Sequence, residues 1–248
     1  FMSYLIVGAS SGLGRDIAYE FAKKKEDLIL ISRDSRDLMA IKSDLINLYN
    51  TNIQTFELDI ANMETVEQFI NDNEKNFKFI KGIICAAGMI NTEDSVGNDR
   101  KKIQSLLSTN FSSISFLISK LIDKIDLTYK ISVISFGSVS GLLGRKHNTY
   151  YAASKRALSS FFESLSFSEK SENLNIQFYI LGYLDTNLAF GKNLALPKGS
   201  TKKLAVKVYK NRNDKFQIIY YPHIWFYISL ILRVIPFFLL RIISKIIR

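Results

Sequence analysis

The 248 residues point to an α/β chain, a single domain on a doubly wound, parallel, seven-stranded sheet followed by an amphipathic helical extension. Three observations carry this reading. Apolar, strand-like runs recur at 4–7, 28–32, 53–58, 80–85, 130–136, 174–181 and 216–221, with helix-compatible segments between them. A glycine-rich turn joins the first run to a helical pattern. After Pro222 the chain becomes apolar with scattered basic residues, which sets the expected boundaries at 1–222 and 223–248. With 47% hydrophobic residues and no linker or low-complexity stretch, the main part fills one core.

The first strand, Tyr4-Leu-Ile-Val7, runs into Gly8-Ala-Ser-Ser-Gly12-Leu-Gly14 and then the helical spacing Ile17, Ala18, Phe21, Ala22. Glycines let the backbone turn tightly and approach a ligand, and the helix start offers N–H groups and a positive dipole end to a phosphate. The second strand, Leu28-Ile-Leu-Ile31, ends in Ser32-Arg33. An acidic residue there would bind ribose hydroxyls and repel a 2′-phosphate. Ser32 does neither, and the guanidinium of Arg33 offers a phosphate a planar, permanently charged fork. The plainer alternative is a solvated loop charge. Phe56-Glu-Leu-Asp59-Ile60 and Cys85-Ala86-Ala87-Gly88 close the third and fourth strands.

The fifth strand runs towards Ser138, thirteen residues before Tyr151-Ala-Ala-Ser-Lys155. Residues four apart on a helix share a face, so Lys155 sits beside Tyr151 and its charge favours the ionised phenol. An ordinary phenol, with a pKa near ~10, keeps its proton at neutral pH; one beside a fixed cation exchanges it with a substrate oxygen. Taken alone, this spacing also arises by chance on exposed helices. Ser138 alone also reads as a strand-end turn residue, and Asn110, in Leu107-Ser-Thr-Asn110, as a polar residue kinking a helix.

Together, the Gly-x-x-x-Gly-x-Gly turn and the Tyr-x-x-x-Lys pair resemble the short-chain dehydrogenase/reductase family, over about residues 3–221. The resemblance implies a Rossmann-type fold, an NADP(H) cofactor and a catalytic group of Asn110, Ser138, Tyr151 and Lys155. Tyr151 would protonate the substrate oxygen as hydride arrives, and Ser138 would hydrogen-bond that oxygen. Lys155 would also hold the nicotinamide ribose, and Asn110 a water of the proton relay. The cofactor would lie along Gly8, Ser10, Ser11, Gly12, Leu13, Gly14, Ser32 and Arg33, with Asp59 and Ile60 at its adenine. Ala86, Ala87, Gly88, Tyr151, Lys155, Leu184 and Thr186 would complete its contacts, Thr186 reaching the pyrophosphate or carboxamide. Two departures from the family pattern stand out: Cys85 and Ala86 replace two asparagines, and Leu181 replaces the proline of Pro-Gly-x-x-x-Thr. Members commonly form homodimers or homotetramers through helices corresponding to 98–126 and 150–170. Residues 183–200, with Gly191, Pro197 and Gly199, read as a lid over the substrate.

A single cysteine excludes an internal disulfide, and with only two histidines a zinc site has almost no material, so no metal is expected. His147 precedes the catalytic helix and lines the mouth of the site or is simply a surface histidine. Phe1 before Met2 reads as a residue left from expression, and no cleavable signal pattern follows it. A cytoplasmic location is expected, or a peripheral one on the inner face of the membrane.

The net charge of +10 is unevenly placed: residues 1–197 hold 22 basic and 22 acidic side chains, residues 198–248 hold 11 and 1. Nucleic-acid binding is disfavoured because the basic segment lacks a reading motif. After Pro236, Arg241, Lys245 and Arg248 fall on one helical stripe beside a broad apolar surface. The longest uncharged run, 216–232, has 17 residues and includes the last strand, short of the ~20 needed to cross a bilayer. An interfacial helix on anionic lipid fits this pattern, and packing against another subunit is the alternative. The tail also resembles extensions of reductases associated with cell-envelope polysaccharides, including those acting on a polyprenyl-phosphate-linked keto-sugar. This suggests a small-molecule or lipid-linked carbonyl substrate. A 3-oxoacyl thioester reductase and a non-catalytic NADP-binding sensor or membrane scaffold are the competing readings.

Overall fold

Seven strands, β1 (Ser3–Val7), β2 (Asp27–Ser32), β3 (Ile53–Glu57), β4 (Gly82–Cys85), β5 (Ile131–Ser138), β6 (Leu174–Leu181) and β7 (Gln217–Tyr221), make the sheet. They lie in the order β3-β2-β1-β4-β5-β6-β7, every neighbouring pair parallel. Each apolar run read from the sequence is a strand. The computed structural model describes residues 2–90, 94, 99–144, 148–185, 198–236 and 238–239. His147, Thr186, Arg241, Lys245, Arg248 and most of the expected lid lie outside the described residues.

The helices are α1 (Gly12–Lys23), α2 (Ser35–Tyr49), α3 (Met63–Asp72), α4 (Glu74–Phe77), α5 (Arg100–Leu107), α6 (Ser113–Lys124), α7 (Thr149–Ser166), α8 (Thr201–Asn211) and α9 (Ile224–Val234). Alternate residues of a strand face opposite sides, so the central runs must be apolar throughout to be covered twice. Leu5, Val7, Ile29 and Ile31 pack with Val66, Phe69, Ile114, Leu117 and Leu158 of α3, α6 and α7. Tyr4, Ile6, Leu28 and Leu30 face the other way, onto Ile17, Phe21, Leu38 and Leu204 of α1, α2 and α8. At the foot of the sheet Glu26 is paired with Lys81 at 2.6 Å and Arg212 at 3.6 Å and accepts the Tyr209 hydroxyl at 3.2 Å. With the bond from Arg212 to the Tyr4 hydroxyl, this cluster ties β1 and the starts of β2 and β4 to α8 at the end remote from the cleft.

Helix α9 belongs to the same packed body. It lies on β7 and on the single turn at Val139–Leu142, and it buries a narrow stripe that includes Trp225 and Ser229. It stops at Ile235, whose extended backbone is the conformation favoured before a proline, here Pro236. The Trp225 ring occupies the space beside Gly182 so closely that a Cβ added there would fall 1.9 Å from Nε1. Among the described residues no helix is long and apolar enough to cross a membrane. Gly182→Ala should therefore push Trp225 out of its seat and cost about 1–3 kcal/mol, the usual penalty of overpacking. A shifted urea midpoint with loss of the native tryptophan fluorescence would register it.

Candidate active site

Strand order reverses between β1 and β4, and the cleft opens at the carboxyl ends of the strands there. Val7, Ile31 and Cys85 stand level in the pairing register, so the loops that follow them leave the sheet together. The cleft has a volume of about 450 Å³.

Its first wall is the glycine turn. Gly8 has φ 84° and Gly12 φ 52°, conformations that favour glycine. A Cβ on Gly8 would lie 2.6 Å from the Ala87 amide nitrogen, and one on Gly14 would lie 2.1 Å from the Gly8 carbonyl. The absence of side chains thus lets turn, helix and the β4 continuation close on one another. Ser11 precedes α1 in extended conformation and makes no side-chain cap, and Ser10, Ser11, Gly12 and Leu13 all line the cleft. The N-terminal turn of a twelve-residue helix therefore faces the opening, with orphan N–H donors and a positive dipole end suited to a diphosphate.

At the β2 end, the Ser32 hydroxyl donates to Ser10 Oγ at 2.6 Å, joining the second strand to the glycine turn. Arg33 lines the cleft beside them, and so does Arg15. Arg15 is a site residue that the sequence reading missed, although its place just after Gly14, in the first turn of α1, was a usable signal. Asp34, the acid that follows this strand end in the sequence, is engaged elsewhere. Its carboxylate accepts the amides of Arg36 and Asp37 as the N-cap of α2 and pairs with the Arg36 guanidinium at 3.0 Å. The Arg36 hydrogen bond is the largest influence holding that carboxyl below its usual range.

Beyond β3, Leu58 and Ile60 line the cleft, whereas Asp59 is exposed and accepts the Ala61 amide at 3.0 Å. Beyond β4, Ala86, Ala87 and Gly88 form the opposite wall with Met89 and Ile90. Cys85 is fully buried, its thiol pushed up to about 12 by burial, as suits an inert core residue. Asn110 sits inside a single π-turn, Ser108–Ser112, between α5 and α6. Its side chain is held at both ends by Met89, accepting the amide at 3.0 Å and donating to the carbonyl at 2.8 Å. Rather than only kinking a helix, Asn110 fastens the cleft wall.

The chemical groups meet above β5. Ser138 ends that strand and lines the cleft with Tyr151 and Lys155, which α7 presents on one face. Ser138 Oγ accepts the Ser140 amide at 3.1 Å and stands near the Tyr151 phenol in the same cleft. Burial raises the phenol above its ordinary value and outweighs the lowering by Ser138. Lys155 is 6% exposed, and its Nζ donates to the Phe136 carbonyl at 3.0 Å. Burial brings its ammonium down to about 8. Lys155 and Asn110 converge on Gly88, where a Cβ would lie 3.3 Å from Asn110 Oδ1 and 3.5 Å from Lys155 Nζ. The sequence reading had the lysine charge acting directly on the phenol. In the structure the partner that lowers the phenol is Ser138, and desolvation dominates both groups.

At the far end, Leu184 bridges Gly199 and lines the cleft with Tyr183, Asp185 and Thr201. Asp185 accepts the Thr201 amide at 2.7 Å, so both bases of the expected lid are pinned. Of the residues expected at the site, the cleft lining includes Gly8, Ser10, Ser11, Gly12, Leu13, Ser32, Arg33, Ile60, Ala86–Gly88, Ser138, Tyr151, Lys155 and Leu184, while Gly14 packs behind it on the Gly8 carbonyl. Asn110 stands directly behind that wall, and Asp59 lies outside it.

Fold and site define the class, a dinucleotide-binding α/β oxidoreductase. The chain belongs to the short chain dehydrogenase family, whose model matches residues 3–195. It is 26% identical to a hydroxysteroid 11-beta-dehydrogenase 1-like protein B of Xenopus laevis, over 88% of this chain and 77% of that protein. It is 25% identical to a very-long-chain 3-oxoacyl-CoA reductase of Vanderwaltozyma polyspora, over 74% of this chain. There it spans only 55% of the relative's length. A short-chain dehydrogenase of Sphingobium yanoikuyae, solved with NADPH, superposes with a TM-score of 0.76 at 22% identity, covering 88% of this chain and 87% of that one. At that identity the likeness is one of fold.

A lysine held at about 8 when folded, against an ordinary 10.5, sheds its proton in the folded state first. Between those values the unfolded chain binds more protons, so stability rises with pH. Measured against Lys155→Met by chemical denaturation, the wild type should gain about 2–3 kcal/mol between pH 7 and pH 10. A pH-independent difference would place the ammonium in water.

Proposed function

We propose that this chain reduces a carbonyl to an alcohol with NADPH, on a substrate carried by a lipid: a polyprenyl-phosphate-linked keto-sugar or a related lipid-borne ketone. The observation that carries the reductase reading is the convergence of Ser138, Tyr151 and buried Lys155 on one end of a cleft whose other end is a glycine cradle. The cradle and the open first turn of α1 would hold the diphosphate, and Ser10, Ser32, Arg15 and Arg33 a 2′-phosphate. Once bound there, the nicotinamide supplies hydride. Tyr151 delivers its proton to the substrate oxygen, and Ser138 hydrogen-bonds the same atom as charge builds on it. Lys155, its ammonium bonded to the Phe136 carbonyl, would hold the ribose. Asn110 holds the wall against which the ring would lie.

A lipid-borne substrate is supported by α9. Ile224, Phe226, Tyr227, Leu230, Ile231 and Val234 are all exposed on it, while its buried stripe packs on the turn that follows Ser138. Tyr183, in the cleft wall, meets Trp225 of that helix with ring centroids 5.8 Å apart. The wide apolar face and the 11 basic residues against 1 acidic one in 198–248 fit an anionic lipid surface, and so a peripheral location. A 3-oxoacyl thioester is the second reading, favoured by the likeness to the 3-oxoacyl-CoA reductase of Vanderwaltozyma polyspora. Association into dimers or tetramers through α5, α6 and α7 fits the half-buried Phe116 and Phe161 on those helices.

NADPH oxidation with a keto-sugar lipid and with an acetoacetyl thioester tests the reaction and separates the two substrates. Tyr151→Phe should lower kcat about 10²- to 10⁴-fold. Arg33→Ala should reduce the preference for NADPH over NADH about 10- to 100-fold, the worth of one charge-assisted hydrogen bond. A wild-type preference for NADH would reject the phosphate assignment. Flotation with anionic vesicles tests the surface, and Ile231→Asp/Val234→Asp is the informative variant because those side chains are 58% and 79% exposed. Vesicle binding should fall at least about tenfold with the fold intact, since each apolar side chain contributes about 1.5–3 kcal/mol on burial. Undiminished binding would discard the lipid face.

A further inference from the structure

Helix α7, which carries Tyr151 and Lys155, has no cap of its own. Its N-cap residue Asn148 is left-handed with φ 64°, its side chain makes no capping bond, and the first turn contains no acid. The opening amides of a helix have no partners within it. Two of them are met from far away in the chain. Asp94, only 1% exposed, accepts the Tyr150 amide on Oδ1 at 2.9 Å and the Tyr151 amide on Oδ2 at 2.7 Å. Its own carbonyl accepts the Asn148 amide at 2.8 Å. One residue therefore grips three points of the helix entrance, and one of those is the backbone of the proton donor. Carboxylate bonds to a helix N-terminus are charge-assisted, about twice as strong as neutral ones, and directional.

We propose that Asp94 is a positioning residue for Tyr151, a role that rests on the proton-donor reading above. It fixes the first turn of α7 so that the phenol meets Ser138. Asp94 follows the stretch Ala86–Ile90 that walls the cleft, so the acid joins that wall's segment to the helix bearing the phenol. An ångström of slippage at a reacting group costs about a hundredfold in rate, which makes a clamp with one oxygen on this residue's own amide and the other on its neighbour's worth a buried charge.

Asp94→Asn and Asp94→Ala, with Tyr151→Phe as control, test this with NADPH and an acetoacetyl thioester or a keto-sugar lipid as probes. Asparagine keeps the shape and one acceptor, while its amide nitrogen cannot accept the second bond. Expected is a fall in kcat of about 10- to 100-fold for Asp94→Ala and a smaller one for Asp94→Asn. NADPH affinity, read by fluorescence, should stay within about twofold, because the cradle lies on other elements. Amide exchange over residues 148–155 should quicken about tenfold or more in both variants, a readout that needs no turnover. Unchanged kcat with unchanged exchange would overturn the assignment. So would kcat, NADPH affinity and melting temperature declining together, which marks a cap serving stability alone. If Asp94→Ala does not fold, the same split in Asp94→Asn decides. Normal turnover by Tyr151→Phe sinks the proton-donor reading and this inference with it, whereas an inactive Tyr151→Phe beside unaffected Asp94 variants sinks only the latter.

Discussion

The bond from Lys155 Nζ to the Phe136 carbonyl is the point on which the site is hung. A cation this deeply buried is costly unless something answers its charge, and the penultimate turn of β5 offers a carbonyl directed at it. That bond sets how α7 lies across β5, and with it whether the residue four positions earlier reaches the strand's last residue. Ser138 and Tyr151 meet because their two elements are fastened one step behind them. On the other flank, the two bonds between Asn110 and Met89 hold the wall that Gly88 belongs to, so lysine and asparagine close on a glycine beside which a Cβ would already touch both.

Much of this was legible in the sequence because each signal was local. Parallel strands covered on both faces leave unbroken apolar runs, and all seven were visible as such. The glycine turn could be read because its demands are steric and fall on adjacent residues. The phenol and ammonium could be read because helical spacing places them together. What escaped was non-local or environmental. Asp94 acts on residues more than fifty positions away, and nothing around it announces a helix it does not begin. Asn110 is bonded to the main chain of Met89 from within a π-turn, a pairing that spacing along the chain does not report. The balance of charge and burial at Tyr151 and Lys155 also depends on the enclosing walls, which spacing cannot report.

The C-terminal extension shows the same division. Its composition marked it as a distinct stretch, and the wide apolar surface of α9 agrees with that. Yet its third residue, Trp225, is core, packed against Gly182 next to the cleft wall. A segment that looks like an appendage by composition thus supplies part of the catalytic domain's interior. Whatever covers the outer face of α9 leans on a helix whose inner face supports the substrate end of the site.

Counting acids near the end of β2 would suggest a carboxylate ready for ribose hydroxyls, because Asp34 lies only two residues beyond Ser32. Position in the helix cancels that suggestion. A carboxylate occupied by the amides of Arg36 and Asp37 could turn towards a sugar only by unwinding the start of α2. Redesign of nucleotide choice in this scaffold would thus have to begin at Ser32 and leave Asp34 alone, since one carboxylate cannot serve both as lintel and as latch.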